Sequence, residues 1–114
     1  MPNTLPLAES GQVTLDGSGN GFVALGPLYT AQTWVPSQLT VSITPPPAIE
    51  PQFKYYRGTA GPTSILGGTY TGSNDSTDIS GITLNPGEKI YGVWLGGSPG
   101  VLAVMTLFGE MHIP

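Results

Sequence analysis

The sequence predicts an all-β fold, a single β-sandwich of jelly-roll type with an extended N-terminal arm. Three observations carry that prediction. Glycine and proline supply 17 and 12 of the 114 residues, more backbone punctuation than a helix-rich chain tolerates. Short runs rich in β-branched and aromatic residues recur about every 8–12 residues between Gly/Pro turns, the spacing of sandwiches and jelly rolls. No apolar pattern of helical period exceeds one turn, and no repeat of about 20–50 residues is present. Surface scaling gives such a chain about 5,900 Å² when folded and about 17,000 Å² when open, so one core forms without staples.

The elements follow in order. Residues 1–10 contain Pro2 and Pro6 and no periodicity, and read as an arm outside the core; the sandwich domain is then 11–114. Residues 12–15 and 22–25 flank Asp16-Gly17-Ser18-Gly19-Asn20-Gly21, which predicts a hairpin. Residues 38–44 give the cleanest strand: Leu39, Val41 and Ile43 alternate with Gln38, Thr40, Ser42 and Thr44, one apolar and one polar face. Pro45-Pro46-Pro47 ends it, because proline cannot donate to a ladder. Residues 52–57 form the next strand, with Phe53 and Tyr55 on one face. Residues 58–68 read as a loop, 69–71 and 82–84 as short strands, and 72–80 as a polar turn.

The last predicted hairpin, 89–95 with 101–108, lacks a wet face. Val101, Ala103, Met105 and Leu107 lie on one side of its second strand, and Leu102, Val104, Thr106 and Phe108 on the other. A half-exposed antiparallel strand alternates apolar and polar. This one needs cover on both faces, from a central position in a closed fold or from another subunit.

Composition excludes several functions. With no cysteine and one histidine, the chain has no thiol chemistry and no multi-histidine metal site. Charged residues are 9% and the net charge is −4, so Lys54, Arg57 and Lys89 make no basic patch for nucleic acid. The N-terminus has no basic residue and no apolar h-region, and does not read as a secretory signal. The longest strictly apolar run, 101–105, is far below the roughly 20 residues that span a bilayer. Synthesis and assembly in a host cytoplasm are expected.

Motifs with chemical potential resolve to structure. Asp16-x-Ser18-x-Asn20-Gly21 starts like a calcium loop, but Pro27 occupies the twelfth position, where a bidentate Glu is required. Asn74-Asp75-Ser76-Thr77-Asp78 reads as a solvated loop with Asx turns. His112 lies two residues from the end, where no triad would orient it. No enzyme, cofactor or metal is expected. The aromatic residues, Trp34 and Trp94 among them, read as core or interface, with a sugar-stacking platform as the rival use.

Three segments together resemble a known group. They are Leu25-Gly26-Pro27 to Trp34 leading into Leu39-Thr40-Val41-Ser42-Ile43; Gly68-Thr69-Tyr70-Thr71-Gly72-Ser73 with Asp75-Ser76-Thr77; and Ile90-Tyr91-Gly92-Val93-Trp94-Leu95-Gly96-Gly97-Ser98-Pro99-Gly100 with the apolar strand ending at Gly109. This pattern, over about residues 20–110, resembles small virion structural proteins of tailed phages infecting actinobacteria, of the head-decoration, minor capsid or minor tail type. The resemblance implies a non-enzymatic decoration or minor capsid protein that binds and stabilises the major capsid protein's shell. It implies a homo-oligomer, such as a trimer, located in the virion. The alternative is a minor tail or surface module recognising host glycan. No nucleic acid or membrane partner is expected. The residues expected at interfaces are Pro2, Leu5, Leu7, Trp34, Tyr91, Leu102, Val104 and Phe108.

Overall fold

A computed structural model describes residues 3–27, 32–46, 48–59, 62–69, 71–79 and 81–113. Among these are eight strands: β1 Asn3–Thr14, β2 Gly21–Leu25, β3 Thr33–Thr44, β4 Gln52–Gly58, β5 Ser64–Gly68, β6 Asn74–Asp78, β7 Lys89–Leu95 and β8 Leu102–Ile113. They form two four-stranded antiparallel sheets, β1-β8-β3-β6 and β2-β7-β4-β5. The chain pairs its ends inward: β1 with β8, β2 with β7, β3 with β6 and β4 with β5. One long antiparallel ribbon, folded at β4–β5 and rolled over itself, gives this order, which is the eight-stranded jelly roll.

The inner faces supply the core. Leu7, Leu39, Val41, Ile43, Ala103, Met105 and Leu107 from the first sheet meet Val23, Phe53, Tyr55, Ile90 and Trp94 from the second. Each is at least half of an alternating pattern, since successive strand side chains point to opposite faces. Phe53 and Trp94 pack with ring centroids 4.8 Å apart at 54°, the tilted arrangement that aromatic quadrupoles favour. The folded chain exposes 6060 Å², close to the scaling value.

Three expectations are corrected. The N-terminal segment is no arm outside the core from residue 3 onward: β1 pairs with β8 along its whole length, and Leu7 is 2% exposed. Pro6 is compatible with this because β1 is an edge strand, where a missing N–H breaks no ladder. Neither predicted hairpin forms a ladder, because β1 and β2 lie in different sheets, as do β7 and β8. Both turns are corners between sheets, and they dock on each other: Gly97 N–H donates to Gly19 O, and Gly96 N–H to Asn20 Oδ1, each at 2.9 Å. The segments read as loop and polar turn contain β5 and β6, whereas 82–84 contributes one isolated bridge, Trp34 to Leu84.

Candidate interaction surface

The register fixes which residues leave the core. On the first sheet, β8 presents Leu102, Val104, Thr106 and Phe108 outward, flanked by Thr14, Gln12, Ser10 and Ala8 of β1. On its other side lie Thr44, Ser42, Thr40 and Gln38 of β3. Leu102 and Val104 are half-buried among these short polar neighbours, and Phe108 is 39% exposed. Ser10 and Thr106 share a hydroxyl–hydroxyl bond of 2.8 Å across this face. The strand that lacked a wet face therefore buries one side and keeps an apolar stripe in a hydroxyl-lined field on the other.

The second sheet has its own apolar outer face. Phe22 is 62% exposed, Ile65 60% and Leu95 44%, and Val93 lies between Phe22 and Lys54. A groove of about 400 Å³ runs beside them, lined by Phe22, Pro62, Tyr91, Val93 and Leu95 among others. Tyr91 has an outward register position but is buried, and its hydroxyl donates to Thr59 O at 3.2 Å.

The expected interface residues thus separate. Phe108 and Leu5 are exposed, and Leu102 and Val104 are partly so. Leu7, Trp34 and Tyr91 are buried within the chain, which corrects their assignment to an interface: sheet packing covers them. Pro2 lies outside the described residues. Phe22 and Ile65 were missed because one sits beside a glycine turn and the other in a segment read as loop. The signal available for Phe22 was its alternation with Val23.

Charges on the surface serve the backbone. Asp16 Oδ1 accepts the backbone N–H groups of Ser18 and Asn20. Glu50 accepts those of Gly72 and Ser73, and Asp75 that of Thr71. Arg57 donates through Nε and Nη2 to Glu88 Oε2 at 3.0 and 2.8 Å. The Asn85 backbone N–H holds the Glu88 carboxyl below its ordinary value, assisted by Arg57 against a desolvation cost. Among the described residues no group of three or more His, Cys, Asp or Glu side chains could hold a metal. No helix among them is long and apolar enough to cross a membrane. The Trp34 Nε1 donor is buried, with no hydrogen-bond partner among the described residues.

No protein-family model and no curated protein matches the sequence. Several solved structures are similar to this chain. A chain of the cyanophage Pam1 capsid asymmetric unit is 13% identical, with 99% of this chain and 86% of that chain covered at a TM-score of 0.50. A chain of the acid-stable capsid of Helicobacter pylori bacteriophage KHP30 is 12% identical, covering 100% and 94% at a TM-score of 0.48. A chain of the turnip yellow mosaic virus structure gives 12% identity, 99% and 93% coverage and a TM-score of 0.47. At these identities the likeness to the first is one of fold.

Proposed function

We propose that this chain is a non-enzymatic structural protein of a phage virion, a decoration or minor capsid protein that binds and stabilises the major capsid shell. The observation that carries the reading is the outer-face stripe of a closed jelly roll, half-buried at Leu102 and Val104 and exposed at Phe108. Its own core is complete without that face, so the apolar area is available to another chain. Contiguous exposed apolar area on a small domain marks an interaction surface, and permanent interfaces are more apolar than the surface around them. The fold is one that viral capsid chains use. Low charge suits a lattice contact better than a free monomer, and host-cytoplasmic assembly goes with it.

A glycan module would need a row of exposed aromatics. Among the described residues both tryptophans are buried, and the exposed aromatics Phe22 and Phe108 lie on opposite sheets. That arrangement favours protein contact over sugar stacking.

Copy number tests the proposal. Quantitative mass spectrometry of purified particles should find this chain in numbers comparable with the shell subunits. A handful of copies would place it in the tail, and its absence from purified particles would overturn a virion role.

A further inference from the structure

Charge is segregated between the two sheets. All three basic residues, Lys54, Arg57 and Lys89, lie in strands of the second sheet, and those strands contain no acid. The strands of the first sheet contain Glu9, Asp75, Asp78 and Glu110 and no Lys or Arg. At outward register positions this leaves Lys54 and Lys89 on one side of the molecule and Asp78 with Glu110 on the other. Each face also carries apolar residues, exposed Phe22 and Leu95 with half-buried Val93 on the second sheet, and exposed Phe108 with half-buried Leu102 and Val104 on the first.

The two patterns match in spacing. Phe108 pairs with Gln38, which pairs with Asp78, so Phe108 and Asp78 are two strands apart in one row. Phe22 pairs with Val93, which pairs with Lys54, again two strands apart in one row. Both separations are about 9.6 Å at the usual inter-strand distance. With Phe22 seated against Phe108 and the two rows aligned, Lys54 comes opposite Asp78.

We infer that the outer face of the second sheet docks on the outer face of the first sheet of another copy of this chain, a head-to-tail contact. Like faces match less well: first sheet on first sheet opposes acids to acids, and second on second opposes Lys54 to a face without a carboxylate. A heterologous contact of this kind closes into a ring or continues as an open array. The smaller face measures about 19 by 23 Å, from four strands and the seven residues of β7. That is roughly 450 Å² per copy and 900 Å² in all, in the range of weak encounters rather than stable dimers. A free pair is accordingly weak, and closure or a particle surface strengthens it through effective concentration. The contact uses the stripe that carries the proposed function and rests on that reading, naming another copy of this chain as what covers it.

Sedimentation velocity on the full chain, from about 10 μM to about 1 mM, the range in which a weak contact of this size populates, tests the inference. Association should appear with concentration, and Phe22→Glu and Phe108→Glu should each remove it. Both side chains are exposed, so both variants fold, as a thermal melt verifies. Mixing the two variants should restore a single contact and give a 1:1 dimer with nothing larger, because each retains the face the other lacks. Lys54→Glu and Asp78→Lys should each weaken association several-fold, and the double variant should recover it. A chain that stays monomeric at about 1 mM overturns the inference. So does loss of association by Phe108→Glu alone, which means pairing of like faces, or a mixture that does not recover.

Discussion

The indole N–H of Trp94 donates to the carbonyl oxygen of Gly72 across 2.8 Å, inside the sandwich. It joins β7 to the segment that leads into β6, and so ties one sheet to the other. Trp94 is also the largest fully buried side chain. Trp94→Phe should leave the Gly72 carbonyl unpaired and a cavity beside Phe53. Loss of the bond and the space together should cost about 2–4 kcal/mol, read from urea unfolding. A change below about 0.5 kcal/mol, within the scatter of surface substitutions, would show that the bond and the packing contribute little.

Gly92 is required by packing rather than by backbone conformation. A Cβ there would run into Met105 Sδ and lie 2.8 Å from Phe53 Cζ. Gly92→Ala should therefore destabilise by about 1–3 kcal/mol, the usual cost of overpacking. Gly17→Ala, with nothing within 4 Å of the added atom, serves as the control. Trimming Met105 in the Gly92→Ala background should cost less than the two changes summed, since the clash is shared.

Leu7 gives a direct measure of whether β1 belongs to the fold. It is buried in the core opposite Gly109 of β8. Leu7→Ala should cost about 2–5 kcal/mol, as for other buried leucines. Removing residues 1–10 should lower the melting temperature well beyond a few degrees, because β8 loses most of one partner. Unchanged melting would return the segment to the role of a detachable arm.

Glu88 provides a pH signature. Its carboxyl is held below the ordinary glutamate value by the Asn85 N–H first and by Arg57. A lowered acid contributes stability that is fully present above the unfolded value and is lost as pH falls through the folded one. The melting-temperature gap between the wild type and Glu88→Gln should be widest near neutral pH and close on acidification below the ordinary glutamate range. A gap independent of pH would mean that the ionised carboxylate is not what the turn uses.

Attachment to a particle should resist salt. Exposed ion pairs contribute about 0–1 kcal/mol each and are screened, whereas apolar burial contributes about 25 cal/mol per Å² and is not. Retention on purified particles through about 1 M NaCl is expected, where the Debye length is near 3 Å. A negative heat-capacity change on binding should accompany it. Release between about 0.1 and 1 M NaCl would assign the contact to charge.

The sequence by itself determined the class of fold and the faces of the strongest strands. The alternation of Leu39, Val41 and Ile43 with polar residues placed those three in the core, because period 2 is a property of the strand backbone and needs no partner to express it. The apolar character of 102–108, interrupted only by Thr106, announced a strand with demands on both faces. Tertiary structure decided what lies across each turn. Glycine turns at 16–21 and 96–100 reverse the chain equally well within a sheet or between two, and only the mutual docking of the two corners selects the second. β5 and β6 were hidden because Gly67, Gly68 and Asn74–Asp78 have weak strand preference, and their pairing comes from β4 and β3 instead. The first ten residues followed the same logic. Pro6 argues against a central strand but not against an edge, and edge or arm is settled by whether β8 offers a free ladder. Local chemistry fixes what a segment can do; the long-range partner, absent from any window of sequence, fixes which of those things it does.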